Sequence, residues 1–462
     1  MDDRLVQEAE QILGAAHLLA GADAAPYAVD GMVPRAVAFP ESVEEVAALL
    51  GVAHRLGAAV IPWGAGTRQD LGRPPKRADL ILGLRRLNRV LEHEPGDLTA
   101  SVQAGIALGA LQEALGARGQ WLALDPPRGH QATLGGLAAT NVAGPRRFRY
   151  GTLRDMVIGI RVVGADGTVT KGGGKVVKNV TGYDMNKLYV GSLGTLAVIV
   201  ELNVRLHPVP AVRAAVAGTF RSPDEAWGAT RAILHSPLQP VSLVLMGEPT
   251  EHGGVRGSAA GGAPAGIGSG PVAEDAGPWV LLVGIEGFPE VVAGQRQPLH
   301  DLCLRAGARS LTALEGEELV AAESAMGTLW DLPSAPCWAR CRLSTVPARV
   351  PKLCEVAAGL GAEHGLRARM VSFIGNGITH VLLMTDAGGT VGEDRVIAAA
   401  EGLKAWAAGE QAAYVMEAAP VALRRRVDPW EAPRGDFRLM AGLKAAFDPE
   451  GILNPGRFIG GL

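Results

Sequence analysis

Residues 61–72 read IPWGAGTRQDLG. A short apolar run ends at Pro62 and Trp63, and glycines follow at 64, 66 and 72. Glycine reaches backbone conformations closed to other residues, so successive N–H groups can converge on one concavity suited to a pyrophosphate. The stretch is not GxxxxGK[ST], nor is it GxGxxG, because Gln69 stands where the third glycine would fall. Alone it reads better as a surface turn. Its neighbours along the chain change that.

Residues 125–155 read DPPRGHQATLGGLAATNVAGPRRFRYGTLRD. Thr133, Gly135 and Gly136 suit the start of a helix whose free N–H groups face a phosphate. Thr140 and Asn141 offer side-chain hydrogen bonds. Arg146, Arg147 and Arg149 either add positive charge or form a solvated face. A helix of small residues packed on a sheet is the plain alternative. A third segment, 172–202, reads GGGKVVKNVTGYDMNKLYVGSLGTLAVIVEL. Gly191 and Gly194 let the chain pass close to a flat ligand, and the strand that follows can offer backbone groups to an adenine edge. By itself this is a loop entering a strand. Two glycine cradles after strands in one region point to a bound dinucleotide.

Around these segments, helical and strand patterns alternate from 36 to 210. AVAFP, AAVIPWG and DLTASVQAGI read as strands, and ALGALQEALGARG as a helix. Ser42 and Glu45 have capping-box spacing, with Val43, Val46, Ala47 and Leu50 on one face of the helix they open. VIGIRVVGADGTVTKGG reads as a hairpin turning at Asp166-Gly167, and TLAVIVELNVRLHPVP as a long strand. From 211 to 425, VRAAVAGTF, PVSLVLMG, WVLLVGIEG, ARCRLSTVP and HVLLMT are strand-like, with helices such as SPDEAWGATRAIL between them. That is an α+β pattern suited to an antiparallel sheet with helices on one face. Residues 248–278 are rich in Gly, Ala, Ser and Pro and are expected to be a flexible insertion between two strands. The expected division is a helical segment 1–35, a domain 36–210, a second domain 211–425, and a segment 426–462 that returns to the first domain.

The chain has 462 residues, 48% of them hydrophobic, and a formal net charge of −3. It has ample length for a large core, and no bulk basic field points to nucleic acid. The four cysteines, Cys303, Cys337, Cys341 and Cys354, are too few and too late for a secreted disulfide scaffold. Cys337-x-x-x-Cys341 lacks a second ligand pair, so buried thiols are the better reading and no metal site is expected. The N-terminus opens with acids and reads as an amphipathic helix, not a signal peptide, and no apolar stretch reaches spanning length. The expectation is a cytoplasmic protein whose membrane contact is peripheral or through partners.

The joint order of the three glycine segments resembles the FAD-binding domain of the vanillyl-alcohol oxidase / p-cresol methylhydroxylase (PCMH) superfamily. More narrowly, GGGKVVKNVTGYDMNKLYVGSLGTL (172–196) and FDPEGILNPGRF (447–458) resemble the FAD-binding subunit of bacterial glycolate oxidase. The resemblance implies an α+β fold: a PCMH-type FAD-binding domain of two subdomains plus an antiparallel, ferredoxin-like α+β cap. It implies that Pro62, Gly64, Ala65, Gly66, Thr67 and Gly72 wrap the FAD pyrophosphate. Thr133, Leu134, Gly135, Gly136, Thr140 and Asn141 would hold its second side. Gly144, Tyr150 and Gly151 belong to the same cofactor-binding set, and Gly194 and Val198 would lie near the adenine or pyrophosphate. The first loop has no histidine to tether the flavin, so the FAD is expected to be non-covalent.

Related 2-hydroxy-acid dehydrogenases carry a motif like HxGDGNxH, whose histidines help form a metal or substrate site. Here SFIGNGITH (372–380) puts Phe373, Asn376 and Ile378 at three of its positions and keeps only His380. The arginine that such enzymes often carry after a Leu-Trp pair is replaced by Leu332 and Pro333. Arg340 and Arg342 are substitute clamps for a carboxylate, unless strand alternation turns both to solvent. His380 is the nominated base. The resemblance implies a subunit that oxidises a small 2-hydroxy acid to a 2-oxo acid and passes electrons to a second FAD-binding subunit and an iron–sulfur subunit. The alternatives are a self-sufficient FAD-dependent D-lactate or glycolate dehydrogenase, and a non-catalytic assembly subunit stabilised by FAD.

Overall fold

Ser42 starts its helix as its spacing foretells. Its hydroxyl accepts the Glu45 N–H at 3.1 Å, but the Glu45 carboxylate takes the N–H of Glu41 at 2.7 Å, so the cap reaches one residue further back. The helix Val43–Leu56 ends at Gly57, φ 61°. Val43, Val46 and Leu50 are buried and Ala47 partly so, while Leu49, not foreseen, completes the face. The N-terminal helix Asp2–Leu13 buries Leu5, Ala9 and Leu13 in the same core, one apolar stripe at helical spacing.

The computed structural model describes residues 2–174, 182–248 and 277–462. They divide into two units. One comprises 1–144, 151–209 and 432–462, and the other 145–150 and 210–431. Most of the insertion at 248–278 and residues 175–181 of the third glycine segment lie outside the described residues.

The first unit holds two main sheets. One runs in the order Leu18–Ala20, Ala36–Ala38, Leu80–Gly83, Val60–Trp63, its last three strands parallel. The other is antiparallel, in the order Val90–Glu94, Thr99–Gln103, Val198–Arg205, Val157–Val163, Val169–Gly173. Its last two strands form the hairpin at Asp166-Gly167, where Thr168 N–H donates to Asp166 Oδ1 at 2.9 Å. Residues of the C-terminal segment join the first sheet, since Val60 N–H donates to Ile452 O at 2.8 Å.

The second unit is built on an eight-stranded sheet in the order Ser310–Glu315, Val212–Phe220, Trp279–Gly287, Ser242–Gly247, Arg367–Phe373, Ile378–Thr385, Cys337–Ser344, Ala413–Ala418. Every pairing in it is antiparallel. Alternation sorts its side chains. Leu243 and Leu245 face the core formed with helices Pro223–Leu234, Pro289–Arg305, Val350–Glu363 and Gly389–Gly409. Val244 and Met246 join a second cluster with Leu319, Leu329 and Trp330. Strands 310–315, 367–373 and 413–418 were not foreseen. All four cysteines are buried. The Cys341 thiol meets Tyr414 OH at 3.3 Å, and burial pushes it up to about 12. Among the described residues no cluster of three His, Cys, Asp or Glu is placed to hold a metal, and no helix is long and apolar enough to cross a membrane.

Candidate functional site

In the first unit, three glycine segments remote in sequence meet. A Cβ on Gly64 would stand 2.0 Å from Thr133 Oγ1, and one on Gly194 would stand 3.2 Å from Pro62 Cγ. Only glycine allows the first loop to touch both the second segment and the third. Gly66, Gly72 and Gly194 have φ of 73°, 86° and 67°. Among the described residues, the N–H groups of Ala65, Gly66, Thr67 and Gly194 have no hydrogen-bond partner. Buried beside Gly194, Ser192 Oγ is also unpartnered among the described residues. Unpaired N–H groups on converging loops fit a pyrophosphate.

The second segment departs from expectation. Thr133 does cap the helix Leu134–Thr140, but the first N–H groups of that helix are not free. Leu134 donates to Ile106 O at 2.9 Å, Gly135 to Ala104 O at 2.7 Å, and Gly136 to Thr133 Oγ1 at 3.3 Å. Thr140 Oγ1 donates back to Gly136 O at 2.8 Å, and Asn141 Oδ1 accepts the Arg154 N–H at 3.3 Å. This segment packs on the first loop at Thr133, and the first three N–H groups of its helix are already taken. A Cβ on Gly144 would meet Asp125 O at 1.9 Å, and Gly151, at φ 82°, packs on Asp155. Val198 begins the strand Val198–Arg205 and pairs with Val163.

Tyr150 and Arg146 belong to the second unit. Tyr150 OH donates to Glu286 Oε2 at 3.3 Å, and burial beside that carboxylate pushes the phenol up to about 12. Arg146 is neither a free charge nor a solvated face. It pairs with Glu286 at 2.7 Å and Glu323 at 3.2 Å, and Arg213 binds the same two carboxylates.

The nominated catalytic groups also lie in the second unit. Arg342 stands opposite His380 in the sheet. Of the two arginines, Arg340 is buried and Arg342 about a third exposed, so alternation does not turn both to solvent. Both face Glu417, Arg340 Nε at 3.9 Å and Arg342 Nε at 3.5 Å. Glu417 Oε2 also lies 3.1 Å from His380 Nδ1. A carboxylate only accepts, so Nδ1 carries the proton and Nε2 the lone pair. Burial lowers the His380 pKa against the opposing pull of Glu417, which keeps the ring neutral. Trp330 and Phe373 wall it edge-on, their centroids 4.9 and 5.4 Å away. Glu417 escaped sequence reading because a lone acid in a short apolar strand carries no signal.

Comparison with known proteins bears on both units. The family described as "FAD binding domain" matches residues 34–173, and "FAD linked oxidases, C-terminal domain" matches 209–413 and 423–458. The chain is 28% identical to the glycolate oxidase subunit GlcD of Bacillus subtilis, over 92% of this chain and 89% of that one. It is 27% identical to the D-2-hydroxyglutarate dehydrogenase of Stutzerimonas stutzeri, over 92% and 90%. The structure of p-cresol methylhydroxylase with substrate bound superposes with a TM-score of 0.76 at 18% identity, over 98% of this chain and 96% of that one, which shows the fold. Together with the loops that fit a pyrophosphate, these matches show that the chain belongs to the FAD-linked oxidases and is an FAD-dependent oxidoreductase with a PCMH-type FAD-binding fold.

Proposed function

We propose that the chain is an FAD-binding subunit of a glycolate-oxidase-type complex that oxidises a small 2-hydroxy acid to a 2-oxo acid. Its electrons go to a second flavin subunit and an iron–sulfur subunit. The names of its relatives support the substrate class. Gly64 to Thr67, Gly72 and Gly194 hold the FAD pyrophosphate, with Thr133 to Asn141 bracing them. With no histidine in residues 61–72, the cofactor is held without a covalent tether. Bound FAD supplies a two-electron acceptor for a hydride from the substrate carbon. His380 Nε2 takes the hydroxyl proton, and Glu417 keeps the ring in the tautomer that allows it.

One observation carries the subunit reading. His380 is buried, walled by two aromatic rings, and its Nδ1 is engaged by Glu417. A base so enclosed gives a weak enzyme on its own. A second reading has a specific point in its favour. Two guanidinium groups face the single Glu417 carboxylate, a surplus cation that suits a substrate carboxylate and a self-sufficient dehydrogenase. Steady-state turnover of the isolated chain with glycolate or D-lactate and a dye acceptor decides between them. The expected result is little turnover, rising when partner subunits are co-expressed. Ordinary enzyme rates from the isolated chain, abolished by His380→Ala, would overturn the subunit reading.

A further inference from the structure

A backbone anion site works only if its carbonyls are turned outward, because a carbonyl oxygen facing a phosphate repels it. In the first unit the outward carbonyls are taken by side chains from one distant segment. Asn454 Nδ2 donates to Leu193 O at 2.6 Å. Arg457 Nη2 donates to Gln69 O at 2.6 Å and to Leu71 O at 2.8 Å. Lys444 Nζ donates to Thr195 O at 2.8 Å and to Leu453 O at 2.9 Å, and is paired with Asp448. Asp448 in turn accepts the N–H groups of Ile452 at 3.0 Å and Leu453 at 2.8 Å. All four residues are buried.

A trans peptide sets its C=O and N–H on opposite sides. A carbonyl drawn toward 444–457 therefore aims the next N–H away from it. For Leu193 the next N–H is that of Gly194, which is unpartnered among the described residues. For Gln69 it is that of Asp70, also unpartnered among the described residues. We propose that residues 444–457 are a clasp that takes up the outward carbonyls of the first and third loops and so holds their N–H groups toward the cofactor pyrophosphate, with Asn454 and Arg457 as positioning residues. The inference rests on the reading of those loops as the phosphate cradle.

The test is FAD affinity of the full-length apoprotein, measured by flavin fluorescence titration beside its melting temperature. Asn454 has φ 46°, so Asn454→Gly removes the donor without backbone strain. It should weaken FAD binding roughly tenfold or more, as expected when a buried carbonyl loses its donor. Arg457→Lys keeps a charge beside Asp30 but cannot span two carbonyls, and should give a smaller loss. Leu5→Ala, in the N-terminal helix, controls for general destabilisation. It should lower the melting temperature with little effect on FAD affinity. Wild-type affinity in Asn454→Gly, or an equal loss in Leu5→Ala, would overturn the clasp. If Gly64→Val weakens binding roughly tenfold or more while Asn454→Gly leaves it unchanged, the cradle stands and the clasp falls. If Gly64→Val keeps full affinity, the cradle reading itself fails.

Discussion

The two units treat polar groups in opposite ways. In the first, three glycine segments come together and leave N–H groups of Ala65, Gly66, Thr67 and Gly194 without partners among the described residues. In the second, charges are closed on one another. Glu417 faces Arg340, Arg342 and His380, while Glu286 and Glu323 each meet Arg146 and Arg213. Open donors are a standing invitation to a ligand. Closed charges stabilise only when every member stays. The glycine-loop side is thus built to receive something, and the side that carries His380 is built to hold itself together.

The sharpest way to break this contrast is to change one member on each side. Gly64→Val drives a branched side chain into Thr133 Oγ1 and should weaken FAD binding roughly tenfold to a hundredfold by overpacking. Far-ultraviolet circular dichroism should stay near wild type, and flavin absorbance of the purified protein checks the loss. Glu417→Gln leaves Arg340 buried without its carboxylate. It should cost the fold about 3 kcal/mol in urea unfolding while flavin content holds. Flavin loss in that variant would mean that the two sides are not separable in this way.

A smaller effect sharpens the cradle. The Gly136 N–H already donates to Thr133 Oγ1, and a Cβ there would stand 3.1 Å from that oxygen. Gly136→Ala should therefore lower FAD affinity only severalfold by titration. A complete loss would move the phosphate onto the helix Leu134–Thr140. The smallest effect is on pH. An unfolded His380 takes its proton near 6.5, and burial makes the folded chain take it only at lower pH. Stability from the neutral ring is thus present above 6.5 and lost as pH falls below it. His380→Phe should flatten the decline in unfolding free energy between pH 7 and pH 5, and an unchanged slope would contradict the buried neutral ring.

What the sequence showed of this arrangement follows from how local each signal is. Ser42, Asp166-Gly167 and the apolar strand at 279–287 carry their structure in adjacent residues and formed as read, while the Glu45 carboxylate turned to the N–H of Glu41 in place of that of Ser42. The polar edge strand Ser310–Glu315 and the arginine-bearing strand Arg367–Phe373 have weaker patterns, and both were missed. The capture of the Leu134 and Gly135 N–H groups by Ile106 and Ala104 carbonyls was invisible, since any residue offers a carbonyl. Arg457 is legible as part of FDPEGILNPGRF, yet nothing in that string says that it binds residues 388 and 386 positions earlier.

That separation fixes an order of events during synthesis. Arg457 leaves the ribosome long after Gln69, and at 5–20 residues per second the 388 intervening positions take roughly 20–80 s to translate. Throughout that interval the first glycine loop exists without the side chain that ties down its carbonyls, while the whole second unit is being made. On the proposed reading of that loop, the nascent chain carries an unfinished phosphate cradle through most of its synthesis, and cofactor capture is a late event in its maturation.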